Sequence, residues 1–303
     1  MAEQRGVTPE HAGDRLDAFV SSAIPDLSRS WSRQLIDSGN VLVNGSRAKA
    51  ARRVQVGDVV TIDVIPPPGM SAAPEEIPLD IVYQDEDVAV INKRAGLVVH
   101  PSAGHHSGTL ANGLAAAFPR IAEVGPAQRP GIVHRLDKDT SGLMVVALNP
   151  TAHSALQKQI AERSAERRYL ALVPGLVEPA EGMIEGPIGR DEKRRDRMAV
   201  GGIAARPART SYRIVESLPD FTLLEARLHT GRTHQIRVHL AGVGHPIAGD
   251  RLYGGAAVEG LARQFLHAYK LSFRSPTSGK RLEFSSELPE DLLRVREMLR
   301  SPI

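Results

Sequence analysis

A carboxylate in a polar loop between two apolar segments is the feature of this chain best suited to do chemistry. Residues 131–143 read Gly-Ile-Val-His-Arg-Leu-Asp-Lys-Asp-Thr-Ser-Gly-Leu. A carboxylate such as that of Asp137 can attack an electrophilic carbon or accept a proton. Ile132-Val133 and Leu143 to Leu148 have the apolar, β-branched character of buried strands, so His134 to Gly142 is expected to be the loop joining them. Loops held by a rigid scaffold often carry catalytic groups.

Two other segments have a similar density of polar groups: Asn92-Lys93-Arg94-Ala95-Gly96-Leu97-Val98-Val99-His100-Pro101, and Thr230-Gly231-Arg232-Thr233-His234-Gln235-Ile236-Arg237-Val238-His239-Leu240. Gly231 permits a sharp turn, and Thr233 suits the N-cap of an amphipathic helix running to Ala241. In this order the three segments resemble the motifs of the RluA/RluD family of RNA pseudouridine synthases. Gly244 to Asp250 and Leu252-Tyr253-Gly254 extend the likeness. One departure is Lys93-Arg94-Ala95-Gly96, where the family usually has Lys-Pro-Ala-Gly; it removes no reactive group but alters a turn.

The resemblance implies an isomerase that needs no cofactor. It breaks the carbon–nitrogen glycosidic bond of a uridine, turns the uracil, and rejoins it to the same sugar through carbon. Asp137 is then the essential residue and Arg232 its partner, a guanidinium that would keep the carboxylate ionised and aimed. Tyr169, in Arg167-Arg168-Tyr169-Leu170-Ala171-Leu172, is implied to stack on the uracil and to serve in proton transfer. The uridine must leave its stack, at a cost of a few kcal/mol. Arg135 is implied to fill the vacated space, since a guanidinium can stack on bases and bond phosphates at once. Lys93 is expected to bind RNA and His134 to serve the loop's structure. Attack on the anomeric carbon and removal of the sugar's 2′ proton both suit one carboxylate, and the sequence leaves both open.

Composition narrows the alternatives. No cysteine is present, which excludes disulfides, thiolate zinc sites, iron–sulfur clusters and cysteine nucleophiles. No metal site is expected either: His100, His105 and His106, like His229, His234 and His239, lack the His-Glu-x-x-His pattern of a zinc protease. A phosphate loop is likewise missing. No run approaches the roughly 18 apolar residues of a membrane helix, and the first residues lack a signal-peptide pattern, so a cytoplasmic address is expected. A net charge of +3 is modest, but Arg163 to Arg168 and Arg190 to Arg197 concentrate bases that can neutralise phosphates. Acidic residues interrupt the second cluster, as on a solvated face.

The pattern of elements predicts an α+β fold with a largely antiparallel or mixed sheet. Residues 1–12 are expected as a tail and 13–65 as a small domain. In it, helical spacing of Leu16, Phe19, Val20 and Ile24 is followed by a helix after Ser28 that buries Trp31 and Leu35 and stops at Gly39. Val41-Leu42-Val43 then runs into an Asn44-Gly45 turn. This domain resembles the S4 RNA-binding domain, with Ser28, Arg29, Arg33, Asn44, Lys49 and Arg52 as RNA-binding residues. Residues 66–78, opening with Pro66-Pro67-Pro68-Gly69, read as an extended linker. Residues 79–303 form the catalytic domain. Structured RNA is the expected partner, large-subunit ribosomal RNA first, for a monomer whose first domain swings on its linker. The alternatives are a transfer RNA target and an inactive RNA-binding ribosome assembly factor. A sugar hydrolase would need a second carboxylate, for which Asp139 is nearest.

Overall fold

Alternating apolar residues and two short amphipathic helices build the first part of the chain around a core of its own. The computed structural model describes residues 2–24, 27, 29–63, 72–102, 105, 107–194 and 196–300. Two units part between residues 71 and 72. In the first, β1 (Ala2–Gly6), α1 (Leu16–Ala23), α2 (Arg29–Asp37), β2 (Val41–Val43), β3 (Ser46–Arg47) and β4 (Val59–Asp63) follow one another. The strands form a sheet in the order β1-β4-β2-β3. Leu16, Phe19, Val20, Leu35, Val41, Val43, Val60 and Ile62 bury their side chains between sheet and helices. Positive φ at Asn44 and Gly45 closes the tight turn that this dipeptide favours.

Residues 1–12 are not simply a tail: Ala2 to Gly6 pair antiparallel with β4, Ala2 opposite Asp63 and Gly6 opposite Val59. The strand escapes a reading by hydropathy because an edge strand bonds through its backbone, and Gln4 and Arg5 keep exposed side chains. Ser28 and residues 66–71 of the expected linker lie outside the described residues. Residues 72–78 belong to the second unit. There Ala72 and Ile77 pack against its core, the Glu75 amide donates to the Asn112 carbonyl at 3.1 Å, and Asn112 Nδ2 donates to the Ala73 carbonyl at 2.8 Å.

In the second unit the chain runs β5 (Ile81–Gln84), β6 (Val88–Lys93), α3 (Leu110–Ala117), β7 (Ser141–Ala147), α4 (Pro150–Ala161), β8 (Glu166–Pro174) and β9 (Glu181–Glu185). Then follow β10 (Ile188–Arg190), β11 (Met198–Val200), β12 (Ile203–Arg206), β13 (Arg209–Ser217) and β14 (Phe221–Leu228), and α5 (Gln235–Gly242), β15 (Leu266–Arg274), β16 (Arg281–Ser285) and α6 (Glu290–Arg300) close the unit. A nine-stranded sheet runs β5-β6-β7-β15-β8-β14-β13-β9, with β16 also on β15, and β10 to β12 make a small separate sheet. The fold is α+β, and the large sheet is antiparallel except where β15 runs parallel to β7. Ile132-Val133 is not a strand: Ile132 makes a single bridge to Val146. Among the described residues no helix is long and apolar enough to cross a membrane.

The parallel seam of β7 and β15 bears directly on the polar loop before β7. Gly142, with φ of 115°, faces Ala268 so closely that a side-chain methyl would overlap the Ala268 backbone. Gly142→Ala therefore combines left-handed strain with overpacking and is expected to cost about 3 kcal/mol. For a unit of this size that is a drop of about 6 °C or more in Tm, measurable by thermal denaturation.

Candidate active site

Asp137 sits in the loop leading into β7, and neighbouring segments fix that loop from several sides. Lys93, at the end of β6, donates from Nζ to the carbonyls of Arg94, Leu97 and Lys138, each at 2.9 Å. The Gly96 amide also donates to the Lys138 carbonyl, at 2.9 Å. Arg263 reaches in from the other side: Nη1 donates to the Asp139 carbonyl at 3.0 Å and Nη2 to Ser141 Oγ at 3.3 Å. Asp291 at the start of α6 holds that arginine at 2.7 Å. His134 accepts from the Val145 amide at 3.1 Å. Burial, and then Arg167, push its pKa down to about 3, so it stays a neutral acceptor serving the loop.

Lys93 is thus a brace, which corrects the expectation that it binds RNA. It is 1% exposed, and its three donors are matched by three carbonyls. Burial lowers its pKa to about 7 against the attraction of Asp137 and Asp139. Lys93→Met would take the ammonium away from the carbonyls of Arg94 and Leu97 and leave the Lys138 carbonyl, one residue from the carboxylate, held by the Gly96 amide. We expect turnover to fall about 10- to 100-fold, since a displacement near 1 Å costs that much, with a lowered Tm from the unpaired carbonyls; steady-state kinetics and thermal denaturation check both.

The guanidinium paired with Asp137 belongs to Arg237, not to Arg232. Arg237 Nη1 donates to Asp137 Oδ2 at 3.0 Å, while Nε and Nη2 form a fork on Asp250 at 2.6 and 2.9 Å. Asp250 is 1% exposed and also accepts from the amides of Leu252 and Tyr253. The Tyr253 ring lies under the guanidinium, 5.0 Å from Cζ, and its hydroxyl meets His234 Nδ1 at 2.9 Å. Burial would lower the arginine's pKa, but its bond to Asp250 and the charge of both carboxylates raise it above the ordinary value. Arg237 is therefore a permanent cation beside Asp137.

Helix α5 begins later than expected, and that explains the exchange of roles. Its N-cap is His234, at φ of 57°, rather than Thr233. The buried Gln235 carboxamide takes the Arg232 amide at 3.0 Å and the Thr230 hydroxyl at 2.7 Å. Arg232 thus stands before the helix, with Nε donating to the Pro207 carbonyl at 3.3 Å. Arg237 is inside it, between the buried Ile236 and Val238. A charged residue among the apolar residues of a short helix was the available sequence signal, with Asp250 in the following segment as its counter-charge.

Tyr169 is 3% exposed, and burial pushes its hydroxyl up to about 12. It shares with Asp137, Leu228, Ile236 and Leu266 a narrow pocket of about 40 Å³. Asp137 also lines two larger cavities, of about 390 and 750 Å³. Arg135 is exposed and borders all three. Arg232 lines the first two of these spaces, at their rim. The arrangement offers a carboxylate fixed by a cation, a narrow slot of mixed lining with a tyrosine and aliphatic side chains beside the charged groups, and basic walls. Such a site can act on a flat ring joined to a sugar.

Among the described residues no group of His, Asp or Glu is placed to hold a metal. His106 lies outside them. His229 is engaged with Ser211, and His239 with Thr210 and the Gly186 carbonyl. In the first unit, Arg29 pairs with Asp17 at 3.1 Å, and Arg33 lies 3.7 Å from Asp37. Asn44 and Arg52 both hold Asp58, which makes them part of the turn's framework, while Lys49 is exposed. In the second basic cluster, Arg194 pairs with Asp196 and Arg197 with Asp191; Arg195 lies outside the described residues.

Comparison with known proteins finds the family of RNA pseudouridylate synthases matching residues 87–242 and the S4 domain matching residues 14–60. The chain is 45% identical over 291 residues to an uncharacterized RNA pseudouridine synthase of Bacillus subtilis, covering 96% of each. It is 44% identical over 303 residues to the ribosomal large subunit pseudouridine synthase D of Neisseria meningitidis serogroup B, covering 96% of this chain and 80% of that one. Among solved structures, human RNA pseudouridylate synthase domain containing 1 aligns with a TM-score of 0.55 at 28% identity, over 75% of this chain and 97% of that one.

Proposed function

From the premise that the chain belongs to the RNA pseudouridylate synthase family and is an isomerase with an S4 domain, we propose that it converts uridine to pseudouridine in large-subunit ribosomal RNA, with Asp137 acting on the sugar of an extruded nucleotide. The observation that carries the reading is the Asp137 carboxylate, held at 3.0 Å by Arg237 and opening onto a pocket that also contains Tyr169. The target follows the relatives of nearly full length whose names specify the ribosomal large subunit.

In this reading the uracil enters the slot beside Tyr169, whose protonated hydroxyl and ring face give the turned base a surface. Asp137 then attacks the anomeric carbon to give a sugar ester, or removes the 2′ proton to give a glycal, as the glycosidic bond breaks with its electron pair on uracil. After the base turns, carbon 5 bonds to the anomeric carbon while the ester bond breaks or the 2′ proton returns, and carbon 5 loses a proton as N1 gains one. Arg135, exposed at the mouth, replaces the extruded base in the RNA stack. The site of action is the cytoplasm, where ribosomal RNA is made and assembled.

Large-subunit ribosomal RNA tritiated at uracil carbon 5 tests the proposal, because forming the new carbon–carbon bond expels that atom. The native protein is expected to release tritium from this RNA or from pre-ribosomal particles. Release from transfer RNA alone would overturn the target, and release from neither would overturn the activity.

A further inference from the structure

The residue before Arg168 has an environment that the chemistry above does not use. Arg167 is 5% exposed, and its Nε has no hydrogen-bond partner among the described residues. Arg168, on the opposite face of β8, is held by Glu166 and Glu225 at 3.2 Å each. No carboxylate of the described residues is paired with Arg167. A buried guanidinium is normally paired, because burying an unmatched charge costs several kcal/mol. Charge left unmatched inside a cavity marks a place prepared for an anion.

The surroundings reinforce this. Arg167 lines the cavity of about 390 Å³ that also holds Asp137, and the residues around it include five arginines against one carboxylate, Asp137. Gly231 lies over the guanidinium: a methyl group there would come within 3.2 Å of Nη1, so its missing side chain keeps Arg167 reachable. Along β8, Arg167 precedes Tyr169 by two residues and so faces the same side, about 7 Å away. That is the distance scale separating a nucleotide's base from its own phosphate.

We propose that Arg167 anchors a site for a backbone phosphate flanking the target uridine, so that uracil against Tyr169, sugar at Asp137 and phosphate at Arg167 form one line of contacts. This rests on the RNA reading above. Arg163 and Arg232, on the same cavity wall, add charge, whereas the buried Arg167 supplies the fixed fork that a phosphate's oxygens match.

The test is the salt dependence of binding to a large-subunit ribosomal RNA transcript, measured for the native protein, Arg167→Met and Arg167→Lys. Each neutralised phosphate contributes about 0.7 to 0.9 to the slope of log affinity against log salt. Arg167→Met is expected to bind about 10- to 100-fold more weakly and to lose one such increment, and Arg167→Lys to retain it. The Tm of Arg167→Met should be unchanged or higher, because an unmatched buried charge has been removed. If methionine is not tolerated, Arg167→Gln carries the same comparison. An unchanged slope in the neutral variant overturns the proposal, whatever happens to affinity or Tm. A native protein that binds with the full slope yet releases no tritium from any RNA would instead overturn the catalytic reading and leave this site standing.

Discussion

Asp137→Asn is expected to abolish tritium release from RNA labelled at uracil carbon 5, lowering turnover by about four orders of magnitude, while the protein stays folded and still binds RNA. The substitution keeps the shape of the side chain and an oxygen that can accept from Arg237, but it removes the negative charge that attacks the sugar or takes its proton. Stability should change little, because Arg237 does not depend on Asp137 alone. Its fork on Asp250, at 2.6 and 2.9 Å, remains, and that second carboxylate keeps the buried guanidinium neutralised. Single-turnover tritium release, thermal denaturation and RNA binding separate the three quantities. Residual turnover within about tenfold of native would sink the assignment of Asp137 to the chemical step.

The sequence places some of these groups better than others, for physical reasons. Asp137 and Tyr169 stand out as polar groups beside apolar runs, and both line one pocket. Such runs mark strands whose faces are fixed by alternation, so which side of the sheet Tyr169 faces can be read locally. Ile132 and Val133 mislead because an apolar, β-branched pair is equally suited to packing beside a sheet, and Ile132 makes only a single bridge to Val146. Lys93 misleads because lysine is normally exposed, and only the fold brings the Lys138 carbonyl, 45 residues away, to its ammonium. Arg237 is the most instructive case. Its partner Asp137 is 100 residues away, and whether Arg232 or Arg237 meets it depends on where α5 starts, an end that shifts by a residue or two with the capping geometry.

The two arginines should therefore differ sharply when each is replaced by methionine. Arg237→Met leaves Asp250, 1% exposed, with only the amides of Leu252 and Tyr253 as donors. Removing one member of a buried ion pair in this way costs roughly 3–5 kcal/mol, and Tyr253 also loses the cation over its ring. Asp137 loses its only ion pair among the described residues, at 3.0 Å, so turnover should fall by at least about 100-fold beyond any loss of folded protein. Arg237→Lys keeps the charge, but an ammonium cannot hold the Asp250 fork and reach Asp137 together. Stability should recover in part while turnover stays low. Arg232→Met, whose side chain bonds a carbonyl at the rim, should change Tm little and act mainly on RNA binding. Comparing Tm with single-turnover rates across the three variants decides the matter: equal losses for Arg232→Met and Arg237→Met would return Arg232 to the role of partner, whereas the expected separation fixes Asp137, Arg237 and Asp250 as one charged unit whose inner end holds the fold and whose outer end does the chemistry.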